Sequence, residues 1–229
     1  MGGESDGDIA SRLAVESIDS VLSQNVSKVS SETDMNNLLT QAILSADSKI
    51  SNYIEENPDS VGMGTTILLA IRRDDELFIS WCGDSHCYSY KDGKVVSITK
   101  DHSYVQQLID SGHITIEESF THPNNNLITR FVGGGEETCI PDFRTHQVSD
   151  SEMIIFCSDG LSGYCKVEDI SKTIRNNHDI KELPRQLSDL AISHGSDDDI
   201  TIVVLLTKTF ISHRNLGHKV EWFKKLFHL

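Results

Sequence analysis

Residues 76–82, "ELFISWC", carry apolar or small side chains at nearly every position. Two sets of side chains alternate along this segment, and they are Leu77, Ile79 and Trp81 on one side and Phe78, Ser80 and Cys82 on the other. This is the pattern of a packed antiparallel strand. Similar short β-branched or aromatic runs lie before and after it, separated by the turn residues Asp74-Asp75 and Asp92-Gly93. We therefore expect a block of short strands over residues 65–99.

Helical patterns flank this block on both sides. Apolar residues at helical spacing predict two helices before it and more after it, with Gly112 and Gly195 as stops. In chain order the other expected elements are helices over 8–24 and 34–56, a helical insert over 101–120, a strand over 152–157, helices near 167–176 and 180–194, and a strand over 200–206. This order predicts an α+β fold in which antiparallel sheets carry helices on their outer faces.

Charge and composition exclude some classes of protein. The net charge of −15 argues against a broad nucleic-acid surface, which must be basic. No apolar stretch approaches the roughly 18 residues of a membrane span, and the first residues lack a signal-peptide pattern. The five cysteines are an odd number without a C-x-x-C pair, as in proteins of a reducing compartment. These features predict a cytoplasmic protein.

Three aspartates stand where a predicted strand meets a loop of small residues. Asp84 lies in "WCGDSHCY", Asp159 in "IIFCSDGLSG" and Asp198 in "HGSDDDITIVVLL". Any one of them would be typical of a turn or a helix cap. Together they favour a site for hard divalent cations, because carboxylate oxygens are the ligands that such ions prefer.

Together with the residues around them, these aspartates make the chain resemble the metal-dependent serine/threonine protein phosphatases of type 2C, the PPM family, in their compact bacterial form. The resemblance covers residues 1–208. The matching segments lie in family order and are "MGG…IASRLAVE", "MGTT", "GDSHCY", "TKDHSYVQQLIDSGHIT", "HPNNNLITR", "CSDGLSG" and "DDITIVV". Each motif is weak alone, and their ordered combination is specific.

The resemblance implies a four-layer α-β-β-α sandwich of two antiparallel sheets flanked by helices. It implies two Mn²⁺ or Mg²⁺ ions, with Asp159 and Asp198 as metal ligands, and Asp84 as a ligand of a third, weaker ion. Residues 101–130 correspond to a flap beside the cleft that contributes to substrate choice. Within that flap His122 and Asn126 are candidate substrate contacts.

The implied activity is the hydrolysis of phosphoserine and phosphothreonine on phosphorylated protein substrates. Two metal ions lower the pKa of a shared water and offset charge on the phosphoryl group. No catalytic side chain is needed beyond the metal-bound water, so Cys157, beside the site, is expected to be a packing residue.

The N-terminus departs from the family pattern. In the family, "MGG" is preceded by an aspartate that bridges the metals and a glycine, and earlier still by a phosphate-binding arginine. The resemblance therefore predicts an N-terminally incomplete phosphatase domain over residues 1–210 and little or no turnover from the 229-residue chain. Two interpretations stay open. One is a misassigned start or fragment of an active phosphatase, and the other is a catalytically inactive phosphatase-like binding or regulatory protein.

Residues 211–229 form a basic, aromatic tail on an otherwise acidic protein. Val220, Phe223 and Phe227 would share one face of a helix. Three roles stay open for it, namely packing on its own domain, docking to a partner protein, and contact with a membrane surface. Three lysines on a single helix make no strong membrane anchor.

Overall fold

The computed structural model of this chain describes residues 6–135 and 137–207. Within these residues it has seven α-helices and seven β-strands. The helices are α1 Gly7–Asn25, α2 Glu32–Glu56, α3 Tyr104–Asp110, α4 Ile116–Ser119, α5 Asp159–Ser162, α6 Val167–Asn176 and α7 Leu183–Ser193. The strands are β1 Ile67–Arg73, β2 Glu76–Cys82, β3 His86–Lys91, β4 Lys94–Ser97, β5 Asp142–Gln147, β6 Met153–Cys157 and β7 Ile202–Leu206.

The strands form two antiparallel sheets, one with the order β1-β2-β5 and the other with the order β4-β3-β6-β7. Helices α1 and α2 cover the outer face of the first sheet, and α6 and α7 cover that of the second. The fold is therefore the expected α+β sandwich of four layers, α-β-β-α.

Apolar side chains of β2 and β6 point alternately to the two faces of each sheet, so each sheet packs against the other sheet on one face and against helices on the other. In β2, Leu77, Ile79 and Trp81 lie in the cluster between the sheets. Phe78 lies in the cluster under α2 instead, because successive side chains of a strand point to opposite faces. The same rule places Ile154 of β6 between the sheets and its neighbour Ile155 under α6 and α7. The predicted alternation is confirmed.

A buried carboxylate also joins the two sheets. Glu152, directly before β6, accepts hydrogen bonds from the hydroxyl of Ser89 in β3, from Nε2 of His146 in β5 at 2.6 Å, and from the backbone N–H of Ser149 at 2.8 Å. Burial raises the pKa of Glu152, but these hydrogen bonds outweigh it and hold the pKa below its usual value. The charge is stable inside the sandwich because it is fully hydrogen-bonded.

Two sequence expectations need correction. Strand β5 was not predicted, because "DFRTHQ" has no apolar alternation and is set only by its pairing with β2. The expected helical insert over 101–120 is two short helices, α3 and α4, and Gly112, with φ of +72°, lies between them. The turn at Asp92-Gly93 has positive φ at both residues, as expected of a tight hairpin.

None of the helices in the described residues combines the length and apolar character that crossing a bilayer requires. The tail of residues 211–229, with its three open roles, lies outside the described residues.

The burial of Ile155 gives a stability test. Because its side chain is fully buried, we expect Ile155→Ala to lower the free energy of unfolding by about 2–5 kcal/mol. The control Val96→Ala removes a side chain that is 63% exposed and should cost less than about 1 kcal/mol. Urea unfolding of the two variants measures both losses. Equal losses would contradict the layer assignment.

Candidate active site

Strand pairing brings the three aspartates of the sequence analysis to one edge of the sandwich. His86 of β3 pairs with Cys157 of β6, and Cys157 pairs with Ile202 of β7. Asp84 precedes β3 by two residues, Asp159 follows β6 by two, and Asp198 precedes β7 by four. Because neighbouring antiparallel strands run in opposite directions, all three loops emerge at the same end of the sheet.

The three side chains line one cavity of about 490 Å³. Asp101, to which the sequence analysis gave no role, lies in the wall of the same cavity. The cavity continues away from these acids between α3, α4 and the segment 162–168. We call the group of Asp84, Asp101, Asp159 and Asp198 the acid cluster.

Charge repulsion is strong within the acid cluster. Burial, together with the charges of Asp159, Asp101 and Asp198, raises the pKa of Asp84 to about 7. Burial and the charge of Asp198 raise the pKa of Asp159 as well, and burial raises that of Asp101. The structure therefore concentrates negative charge that the surrounding residues do not neutralise.

A histidine connects two members of the acid cluster. His86 Nε2 lies 3.1 Å from Oδ1 of Asp101, and His86 Nδ1 lies 3.1 Å from the backbone oxygen of Asp84. The His86 ring stacks on Tyr88, which fixes its plane. The contact between His86 and Oδ1 of Asp101 is close but lacks the geometry of a hydrogen bond, so this buried oxygen accepts no hydrogen bond from the described residues. Only the tertiary structure reveals these contacts of His86 with Asp84 and Asp101, although His86 and Asp101 lie in two of the segments that carry the family resemblance.

Close backbone packing holds the Asp84 loop. Gly83 has φ of +126°, and a Cβ atom on it would lie 2.5 Å from Thr66. Its N–H donates to Nδ1 of His102, so the proton of that ring is on Nε2, which lies 3.2 Å from Asp142. Arg130 donates to the other oxygen of Asp142 at 3.0 Å. The unpredicted strand β5 thus supports the site through its first residue.

The loops of Asp159 and Asp198 are fastened to each other. The hydroxyl of Ser158 donates to the backbone oxygen of Asp199 and accepts from the N–H of Thr201, both at 3.0 Å. Gly160 approaches the Asp199 carbonyl so closely that a Cβ atom would lie 2.5 Å from its oxygen. A residue with a side chain at position 160 would push the two loops apart.

The segment 101–130 begins and ends at the same place. Tyr104 N–H donates to the oxygen of Leu127 at 2.8 Å, and Thr129 N–H donates to that of His102 at 2.7 Å. Asn126 lines the cavity. His122 is not among the lining residues, and its Nδ1 accepts the N–H of Asn124. A substrate contact by either residue stays a prediction.

Cys157 is buried beside the acid cluster. Burial, with a contribution from the charge of Asp101, raises the pKa of its thiol to about 12. The thiolate is the nucleophilic form of cysteine, so this thiol is unsuited to covalent catalysis. This agrees with the expected packing role.

The acid cluster fits divalent cations by its chemistry. Its members offer only carboxylate oxygens, burial and repulsion raise the pKa values of Asp84 and Asp159, and one buried oxygen of Asp101 lacks a hydrogen bond. A dication would offset the repulsion and give that oxygen a partner. Across residues 6–135 and 137–207, no group of three or more His, Cys, Asp or Glu side chains is arranged to hold an ion unaided. The cluster would supply only part of a coordination sphere, which suits Mg²⁺ because this ion keeps several waters.

Comparison with known proteins points to a single family. The family model described as protein phosphatase 2C matches residues 1–195. The chain is 32% identical over 204 residues to serine/threonine protein phosphatase PstP of Mycobacterium tuberculosis, covering 89% of this chain and 38% of that protein. It is 29% identical over 209 residues to serine/threonine phosphatase stp of Listeria innocua, covering 90% of this chain and 81% of that protein.

A solved structure supports the same family. The catalytic domain of PstP in complex with two manganese ions is similar with a TM-score of 0.74 and 31% identity, over 89% of this chain and 83% of that one. The relatives named here are all described as phosphatases, so they give no support to the inactive alternative. The chain spans 38% of the PstP sequence, which is less than half of its length.

Because the carboxylates of the acid cluster repel each other, we expect Asp84→Asn to stabilise the metal-free protein and to weaken its stabilisation by Mn²⁺. The ordinary pKa of Asp84 is 3.8 and its folded value is about 7, so in the metal-free protein its charge costs stability as the pH rises between these values. We expect Asp84→Asn to raise the Tm in EDTA above pH 7 by about 3 °C or more, and to leave it unchanged near pH 4. It should also reduce the Tm increase that Mn²⁺ produces, because a ligand is lost.

Thermal unfolding with EDTA or with Mn²⁺ measures both effects. The control is Asp19→Asn, which removes an exposed carboxylate on α1 and should change neither Tm. If Asp84→Asn left the Mn²⁺-induced increase intact, Asp84 would not be a metal ligand.

Proposed function

We propose that this chain, which belongs to the protein phosphatase 2C family, hydrolyses phosphoserine and phosphothreonine on proteins. The observation that carries this proposal is the meeting of Asp84, Asp159 and Asp198 in one cavity at the edge of the sandwich. The phosphatase names of PstP and stp support it.

The proposed cofactor is Mn²⁺ or Mg²⁺, as two ions with a third, weaker one. Support comes from the two manganese ions named for the PstP catalytic domain. Asp159 and Asp198 would hold the pair and Asp84 the third ion. When bound, such ions lower the pKa of a water between them and offset charge on the phosphoryl group.

Residues around the site hold the carboxylate oxygens of Asp159 and Asp198 in defined positions. The tie between Ser158, Asp199 and Thr201 fixes the spacing of the Asp159 and Asp198 loops. Preorganised ligands and charges avoid reorganisation during the reaction. Because the Cys157 thiol is protonated at neutral pH, no covalent intermediate on this residue enters the scheme.

Binding of the phosphoprotein needs positive charge as well as ligands. Lys100 and Lys166 are the lysines that line the cavity. Lys100 is paired with Asp110 at 2.7 Å. Lys166 makes no ion pair within the described residues, so its charge is available to a phosphate. Asn126 and His122 of the segment 101–130 are the proposed flap contacts.

The remaining assignments are also proposals. The N-terminally incomplete phosphatase domain comprises residues 1–210, and the basic tail of residues 211–229, which makes no strong membrane anchor, keeps partner docking as one of its three open roles. The partners are phosphorylated proteins and no nucleic acid, for which the net charge of −15 is the support. The proposed location is the cytoplasm.

Metal-dependent hydrolysis of p-nitrophenyl phosphate and of a phosphoserine peptide tests the function. We expect turnover with Mn²⁺ or Mg²⁺ and none in EDTA, in place of the little or no turnover that the N-terminal departure predicted, because the named relatives are phosphatases. Asp159→Ala and Asp198→Ala should each lower kcat/KM by more than the roughly 10–100-fold typical of outer-shell metal partners, whereas Asp19→Ala should not change it.

Three results would contradict this proposal. They are an absence of turnover with either metal, turnover that persists in EDTA, and full activity in the Asp159→Ala and Asp198→Ala variants. An absence of turnover by a folded, metal-binding chain would favour the inactive alternative.

A further inference from the structure

Apolar side chains line the cavity beside its polar ones. They come from α3, α4 and the residue after α4 on one part of the chain and from the start of α6 on another. They are Val105, Ile109, Ile116, Phe120 and Val167. We call this part of the cavity the apolar end.

One of these side chains is unusually exposed. Ile116 lines the apolar end and is 62% exposed, although burial of such a side chain is favourable by about 1.5–3 kcal/mol. Ile116 is the first residue of α4, whose start is closed by a capping box of Thr115 and Glu118. The helix therefore presents an uncovered apolar side chain to the cavity.

Single exposed apolar residues are common and usually have no function. Ile192 of α7 is such a residue, since it is 60% exposed and is not among the residues that line the cavity. Ile116 differs because Ile109 and Phe120 line the same space. An apolar group that entered would meet several side chains at once.

The occupant follows from the continuity of the cavity. The acid cluster, where the proposed function places the phosphoryl group, and the apolar end belong to the same cavity. A peptide with its phosphoserine at the acid cluster can place a flanking side chain in the apolar end without leaving the cavity. Glu117 and Glu168 also line the cavity, so an acidic side chain would be repelled there.

We propose that the apolar end is a subsite for a bulky apolar side chain that flanks the phosphorylated residue of the substrate. This inference rests on the proposed function and narrows its substrate class to phosphoserine or phosphothreonine sites with a nearby leucine, isoleucine or aromatic residue. Ile116 is its specificity-determining residue.

A binding experiment tests the subsite independently of turnover. The probes are fluorescent polar peptides in which phosphoserine is replaced by a phosphonate that cannot be hydrolysed. One leucine is moved through each flanking position, with alanine there as the reference. Anisotropy titrations with the Mn²⁺-loaded chain give the ratio of the two Kd values at each position.

We expect about 10-fold tighter binding with leucine at one flanking position, the usual discrimination by a pocket of this kind. Ile116→Ser should reduce this ratio to near one, and Ile116→Val should give an intermediate ratio. The matched control Ile192→Ser should keep the ratio of the wild type. Thermal unfolding checks that each variant is folded.

The inference is overturned if no leucine position binds more tightly than alanine. It is also overturned if Ile116→Ser keeps the ratio, or if Ile192→Ser lowers it equally. Hydrolysis of p-nitrophenyl phosphate by the wild type separates this result from the proposed function. A leucine preference without hydrolysis would leave the subsite standing and reject the activity, and hydrolysis without a preference would do the reverse.

Discussion

Antiparallel pairing of β6 with β3 on one side and β7 on the other fixes where Asp84, Asp159 and Asp198 lie. The hydrogen-bond register places the start of β3, the end of β6 and the start of β7 side by side. A shift of one residue would turn each side chain to the opposite face. Such a shift would move Ile155 from the helix-covered face to the space between the sheets, so the core enforces the register. Stability of the core and geometry of the site are one constraint.

The cost of this arrangement is electrostatic. Burial and repulsion between carboxylates raise the pKa values of Asp84 and Asp159, and burial raises that of Asp101. Backbone contacts hold them in place, through Gly83 against Thr66 and Gly160 against the Asp199 carbonyl. Residues outside the cavity contribute as well, since His102 connects the Gly83 N–H to Asp142 of β5. The tightly packed loops around the acids thus hold these carboxylates together despite their repulsion.

Much of this could be predicted from the sequence. The alternation in β2 and the helical spacing of α1 and α2 are local patterns, so the layers could be inferred before the structure. The aspartates were recognisable because each follows or precedes an apolar strand. Strand β5 could not be found, since its polar residues have no pattern of their own and its place depends on β2. The roles of Asp101, His86 and Ile116 arise from residues distant in sequence, and only the tertiary structure brings these together.

The closed base of the segment 101–130 has a consequence for how such proteins diversify. Hydrogen bonds between residues 102–104 and 127–129 join its entry to its exit. Residues 105–126 can then be inserted, deleted or exchanged as a cassette, while the backbone at 102–104 and 127–129 stays in place. Under the proposed function, recognition of new phosphoproteins can evolve in this cassette without disturbing Asp84, Asp159 and Asp198.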